Sequence, residues 1–324
     1  QQGWFGYETR PDEVVEAFWR WSSARHGWHA DDVSTLVSPS VGTSIGVAID
    51  ALTERGDGVI IQPPVFTDFK PLIVDAGRVA LRNPLRFAGG RYRIDLDHLA
   101  DLAAVPDNRL LVLCSPHNPV GRVWTDDELR SVASVCAEHD VFVVADEIHA
   151  DLALHPHRFV PFGSIAEASG VRWAALHGPI KTFGLAGVCD TLVVTADERF
   201  VDQFTARSSQ LHLTRNNVFG LAAFDVAYRF GDAWLDGLLE TVQRNRNALR
   251  VGLPSGVDLV EPEGTYLAWL DFRALDVPVP ELGPWLARSA RVAVSPGHWF
   301  GREGAGFARM TIAAEPATVD LAIE

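Results

Sequence analysis

Apolar residues along this chain come in two rhythms. Short, nearly unbroken runs stand at Gly58 to Ile61, Val79 to Leu81, Leu110 to Cys114, Val141 to Ala145, Trp173 to Leu176 and Thr191 to Val194. Runs of that length without polar alternation predict strands buried on both faces. Between most of them the spacing becomes that of a helix with one apolar face. Ile45, Ile49 and Leu52 follow Ser38-Pro39-Ser40-Val41-Gly42-Thr43 at helical intervals, which predicts a helix ending near Arg55-Gly56. Thr125-Asp126-Asp127-Glu128 has the hydroxyl and carboxylate of a capping box, ahead of Leu129, Val132 and Cys136 on one face. A further helix is expected from about Asp12, with Pro11 near its first turn and Val14, Val15, Phe18 and Trp19 as its apolar face. It follows an aromatic loop, Gly3-Trp4-Phe5-Gly6-Tyr7. Strands separated by helices predict an α/β fold with a mostly parallel central sheet covered on both sides.

Near Gly231 the alternation stops. A long helix carrying Leu235, Leu238, Leu239 and Val242 leads into a proline-punctuated stretch in which Gly264 to Leu270 and Gly306 to Met310 are predicted strands. The expected division is a large α/β domain over residues 1–231 and a smaller α+β domain over 232–324. A last helix is expected to be cut short at Glu324.

Ligands on parallel sheets bind beyond the carboxyl ends of the strands. Polar clusters fall there: Ser115 to Asn118, Asp146 to His149, and His177 to Lys181. Lys181 stands out because the chain has only one other lysine, Lys70, among 28 basic residues. A guanidinium stays protonated, whereas a lysine amine can lose its proton and attack an aldehyde. Asp146 ends a buried strand, where burial raises a carboxylate's pKa unless a cation compensates, and a protonated pyridine nitrogen would be such a cation. The helix start at Val41, Gly42 and Thr43 offers outward N–H groups to an anion, a candidate phosphate cup.

Charge and composition narrow the classes. A net charge of -14 with no basic block argues against nucleic acid or anionic membrane as the main partner. No apolar run is long enough to span a bilayer and no leader is visible. Three cysteines in apolar contexts read as reduced core thiols, so a cytoplasmic setting is expected. Eleven histidines show no HExxH spacing, and no GxGxxG follows an early strand, which disfavours metal hydrolysis and nicotinamide chemistry.

In order, the chain carries Phe5-Gly6-Tyr7, Pro63-Pro64-Val65-Phe66, Ser115-Pro116-His117-Asn118-Pro119-Val120-Gly121-Arg122-Val123-Trp124, Asp146-Glu147-Ile148-His149, Lys181-Thr182-Phe183, Gly264-Thr265-Tyr266-Leu267-Ala268-Trp269-Leu270-Asp271, and Pro296-Gly297 through Arg309. With these motifs it resembles the class I/II aminotransferase-like enzymes of fold type I that use pyridoxal 5'-phosphate (PLP), and among them the cystathionine β-lyase, or cysteine-S-conjugate β-lyase, branch. The resemblance covers nearly the whole chain. It implies PLP as cofactor, Lys181 as the Schiff-base lysine and general acid/base, Asp146 as the partner of the pyridine nitrogen, and Asn118 as a hydrogen bond to the ring's phenolic oxygen. It further implies Phe66 stacked on the ring and Arg309 on the substrate carboxylate. Tyr7 would reach the phosphate of the other subunit, so that a homodimer completes the site, and His149 would line the pocket. Each residue also has a plain structural reading: surface lysine, helix-capping Asp, Ser-capped helix start, packed Phe, surface-paired Arg, structural His.

Departures from the pattern are Ile180 in place of a hydroxyl residue before the lysine, Gly184 in place of asparagine after Lys-Thr-Phe, and Phe66 in place of tyrosine. The family's amino-terminal segment, with its tryptophan-containing substrate loop, has no counterpart before Gln1. The expected activity is β-elimination from cystathionine or a related L-cysteine S-conjugate, giving thiol, pyruvate and ammonia. The same residues would serve a transaminase, and a weakly active PLP-binding regulator remains an alternative.

Overall fold

The structure, a computed structural model, describes Gly6 and residues 12–29, 31–214 and 217–324. Tyr7, Phe5 and Pro11 lie outside the described residues. The chain opens with α1 (Asp12–His26), β1 (Ser34–Ser38) and α2 (Val41–Leu52). It continues through β2 (Gly58–Ile61), α3 (Phe69–Asp75), β3 (Val79–Arg82), the hairpin β4 (Arg86–Ala88) and β5 (Arg91–Arg93), and α4 (Leu96–Ala103). Then come β6 (Asn108–Cys114), α5 (Asp126–Glu138), β7 (Phe142–Asp146), α6 (Phe162–Ser169), β8 (Trp173–His177), α7 (Pro179–Thr182) and β9 (Thr191–Thr195). The six predicted strands of this half are all present, and the capping box opens α5 with both reciprocal bonds, Glu128 N–H to Thr125 Oγ1 at 3.2 Å and Thr125 N–H to Glu128 Oε2 at 3.0 Å.

These strands form one sheet in the order β1-β9-β8-β7-β6-β2-β3. The pairs from β3 through β8 are parallel, but β9 runs antiparallel to both β8 and β1. A parallel neighbour needs a long crossover that covers a sheet face. Only four residues of the segment between β8 and β9 are helical, so the chain turns back beside β8. β1 was not expected, because Ser34, Thr35 and Ser38 dilute its apolar pattern. α2 stops at Leu52, short of Arg55, where Thr53 takes the extended C-cap position. On α1 the buried face is Val14, Ala17, Phe18 and Trp21, with Val15 and Trp19 only partly covered.

Beyond α8 (Glu198–Gln210) and α9 (Val218–Phe230), the long α10 (Asp232–Gly252) leads to a second, antiparallel sheet. It contains β10 (Asp258–Val260), β11 (Leu267–Asp271), β12 (Ser295–Pro296) and β13 (Phe307–Thr311), in the order β10-β11-β13-β12, with α11 (Leu282–Ser289) and α12 (Pro316–Ile323) beside it. β11 starts three residues later than the sequence pattern implies. Thr265 adopts φ +67 and caps the strand, its Oγ1 accepting from Leu267 N–H at 3.1 Å. The carbonyl of Gly121 accepts from Glu263 N–H (2.8 Å) and Gly264 N–H (3.0 Å). Buried Arg122 donates to Glu263 at 2.9 Å and to Glu128 at 2.7 Å. The approach to β11 is thereby fastened to the loop after β6, and the second sheet stands over the carboxyl ends of the first.

Candidate active site

Four neighbouring parallel strands, β8, β7, β6 and β2, end at the same edge of the large sheet. Lys181 follows β8, Asp146 closes β7 with His149 three residues beyond it, Asn118 follows β6, and Phe66 follows β2. β1 runs parallel to β8, since both are antiparallel to β9, so the start of α2 with Val41, Gly42 and Thr43 opens onto that edge as well. Arg309, on β13, arrives from the second sheet and donates to Asn118 Oδ1 at 2.9 Å. The sequence-predicted residues among those described therefore converge on one crevice.

Asp146 is 5% exposed, and among the described residues its carboxylate accepts only the N–H of Ile148, at 3.3 Å. Burial drives its pKa up from 3.8 to about 6, against the opposing pulls of that N–H and of Lys181. Among the described residues the carboxylate has no guanidinium or ammonium hydrogen-bonded to it. His149 is also buried. Its pKa falls to about 3, first through burial and then through the nearby positive charges of Lys181 and Arg309, so the ring is neutral at physiological pH. Its Nδ1 is buried without a partner, and its ring meets Tyr266 edge-on at 5.8 Å.

The Arg309 guanidinium lies 4.7 Å from the centre of the Phe300 ring and has no carboxylate partner among the described residues. Burial lowers its pKa from the usual arginine value. Because Asn118 turns Oδ1 toward Arg309, its amide N–H groups are left for another acceptor. At the start of α2, Ser40 Oγ already accepts the N–H of Thr43 at 3.1 Å and lies 2.9 Å from Thr43 Oγ1. Of the N–H groups in the candidate cup, that of Thr43 is taken by Ser40, and those of Val41 and Gly42 have no acceptor outside the helix among the described residues. Ile180 is buried in the core, so its apolar side chain has a packing reason. Gly184 takes φ +69. Glycine and asparagine tolerate that left-handed conformation best, which explains why glycine can replace asparagine there.

A cavity of about 430 Å³ shares Phe66 and Phe300 with the crevice and is otherwise walled by Lys70, Arg82 and Trp299 among others. It does not reach Lys181 or Asp146. Two further acids on this segment received no role from the sequence. Glu147, buried beside Asp146, accepts from Phe162 N–H at 2.7 Å and lies 3.1 Å from His177 Nε2, off the hydrogen-bonding direction. Asp151 is hydrogen-bonded to Thr182, the residue after Lys181, at 2.7 Å. The signal available was its position two residues after His149 in the Asp-Glu-Ile-His run.

Among the described residues, a buried carboxylate without a cationic partner, an imidazole nitrogen without a hydrogen bond, a guanidinium without a carboxylate and an amide with N–H groups to spare fit a flat cationic ring bearing an anion. The chain is 36% identical to cystathionine beta-lyase PatB of Bacillus subtilis over 321 residues, covering 98% of this chain and 83% of that protein. It is 31% identical to protein MalY of Escherichia coli, covering 95% and 80%. The crystal structure of cystalysin from Treponema denticola, which contains a pyridoxal 5'-phosphate cofactor, matches with a TM-score of 0.94 at 29% identity, covering 99% of this chain and 82% of that one. A family model for aminotransferase class I and II matches residues 1–324. The chain belongs to the aminotransferase class I and II family.

Proposed function

We propose that this chain is a PLP-dependent carbon–sulfur β-lyase acting on cystathionine or related L-cysteine S-conjugates, with thiol, pyruvate and ammonia as products. The observation that carries the cofactor is the buried Asp146 carboxylate with no cation bound to it, on the strand next to the one that leads into Lys181. The reaction class follows the likeness to PatB. PLP, when bound, supplies an aldehyde that condenses with amines and a cationic ring that accepts the electron pair left at a substrate's Cα.

In this reading Asp146 would stay ionised facing the ring nitrogen and would hold a proton there. Phe66 would offer its aromatic face to the flat ring, and the Asn118 amide, its Oδ1 turned to Arg309, would have its N–H groups available to donate to it. The N–H groups of Val41 and Gly42, with the Thr43 hydroxyl, would hold the phosphate. Arg309 grips the substrate carboxylate through a two-pronged contact that orients the Cα–H bond, and Asn118 fixes the guanidinium. The Lys181 amine removes the Cα proton and can return one to the departing thiolate. His149 lines the crevice as a neutral ring, adding no charge that would compete with Arg309 or Lys181.

The same reading places residues 1–231 in a cofactor-holding part and 232–324 in a smaller part, each with its own sheet. It makes the molecule a homodimer in which Tyr7 serves the neighbouring site. Exposed Phe230, Trp234 and Trp299 offer apolar surface for such contacts. Three buried free thiols suit a reducing compartment, and the cytoplasm is the proposed setting. No helix among the described residues is long and apolar enough to cross a membrane.

The test is an assay of purified protein with PLP and cystathionine, without any keto acid. Pyruvate and free thiol appearing together support the lyase. Turnover only when a keto acid is supplied would replace it with an aminotransferase.

A further inference from the structure

Lys181 rides on a turn too short to hold itself. α7 has four residues, and its N-cap Gly178 contributes no side-chain bond. One helical turn fixes several dihedrals for a single hydrogen bond and is not stable alone. What anchors it is the next residue. Thr182 is 1% exposed, and its hydroxyl donates to Asp151 Oδ2 at 2.7 Å. The other oxygen, Oδ1, accepts Trp21 Nε1–H at 2.8 Å and lies 2.8 Å from His26 Nε2. Both residues belong to α1, which is itself tied to the start of α10 where Arg25 meets Asp232 and Asp236 at 2.9 and 2.8 Å. The support beneath Thr182 is therefore a carboxylate with both oxygens engaged, braced against a helix of the main body.

Successive residues of a helix project roughly 100° apart. A fixed Thr182 therefore sets the rotation of the turn, and with it the direction in which Lys181 leaves the backbone. Proton transfer at Cα depends on that direction, since a misplacement of about 1 Å can cost roughly a hundredfold in rate.

We propose that Asp151 is a positioning residue for Lys181, acting through the hydroxyl of Thr182 and braced by Trp21 and His26. The proposal rests on the reading of Lys181 as the amine that joins the cofactor. Asp151 touches neither substrate nor cofactor in this arrangement; its effect passes through backbone orientation.

The experiment compares wild type, Thr182→Val, Thr182→Ser and Asp151→Asn, each reconstituted with PLP. Thr182→Val keeps the side-chain shape and removes the hydroxyl. Its cofactor absorbance band is expected to change in circular dichroism, and kcat to fall roughly 10- to 100-fold with KM changed less than about twofold. Thr182→Ser, which restores the hydroxyl, should recover both the band and the rate. Asp151→Asn should shift the same two readouts in the same direction, and supplies the comparison if the valine variant does not fold. An unaltered band and rate in Thr182→Val overturn the proposal alone, as do equal losses in the valine and serine variants, which would assign the effect to packing. A wild-type protein with no cofactor band overturns the reading of Lys181 and the proposal together.

Discussion

Asp146 and Asp151 are buried carboxylates on one short segment, and the fold treats them in opposite ways. Asp151 is surrounded by donors, Trp21, His26 and Thr182, and their bonds hold its pKa below the ordinary carboxylate range despite burial. Asp146 receives one long backbone N–H, and burial wins, raising its pKa to about 6. A carboxylate with its acceptors filled by the chain is a structural joint. One left short of donors in a buried crevice is held for something the chain does not itself provide. In the proposed reading, the contrast separates the group assigned to the cofactor from the group assigned to steadying the turn that carries Lys181.

Breaking the contrast at its functional end should have the largest effect. Asp146→Asn removes the charge proposed to face the ring nitrogen, and kcat of the holoenzyme is expected to fall roughly 10²- to 10³-fold, measured as pyruvate release. Next comes stability without cofactor, where the two residues should differ in sign. The folded pKa of Asp146 lies above its unfolded one, so the folded cofactor-free protein retains a proton the unfolded chain has lost. Its stability therefore declines as pH rises through the window from 3.8 to about 6. That elevation corresponds to roughly 3 kcal/mol, so cofactor-free Asp146→Asn should be more stable than wild type at pH 7.5, with the gain fading below pH 4. Asp151 runs the other way. Its folded pKa is depressed, so its contribution is complete above the usual carboxylate range and is lost as pH falls through the folded value. Asp151→Asn should be less stable than wild type at pH 7.5, by about 2 kcal/mol, in urea unfolding. The smallest effect is expected for Trp21→Phe, which takes one donor from Asp151 and keeps the aromatic packing. A loss of about 1 kcal/mol is expected, with a slight rise in the acid midpoint of unfolding.

The part of this arrangement that lies on strand ends was legible in the sequence. Unbroken apolar runs locate buried strands, and polar residues just past them have few other places to be, so Asn118, Asp146 and Lys181 could be placed on one crevice before any coordinates. Arg309 was legible only through the resemblance, since a lone arginine on a strand carries no local signal of what it faces. Other features depend on contacts distant in the chain. The Asp151 joint draws on Trp21 and His26, more than a hundred residues away, and no local pattern reports that. The reversal of β9 follows from how little of the β8–β9 connection is helical, a matter of geometry that apolar spacing does not encode. β1 was hidden by its serines and threonine. The candidate phosphate cup was legible only as one of two readings, because a Ser-capped helix start and an anion site use the same N–H groups, and Ser40 accepts the one on Thr43.

Borohydride reduction of the PLP-loaded protein followed by peptide mass spectrometry is the most direct test of the central assignment, because the chain has only two lysines, Lys70 and Lys181. The cofactor mass is expected on the peptide containing Lys181, with Lys70 unmodified. Modification of Lys70 instead, or of neither lysine, would contradict the assignment of Lys181 and the division of labour between Asp146 and Asp151 built upon it.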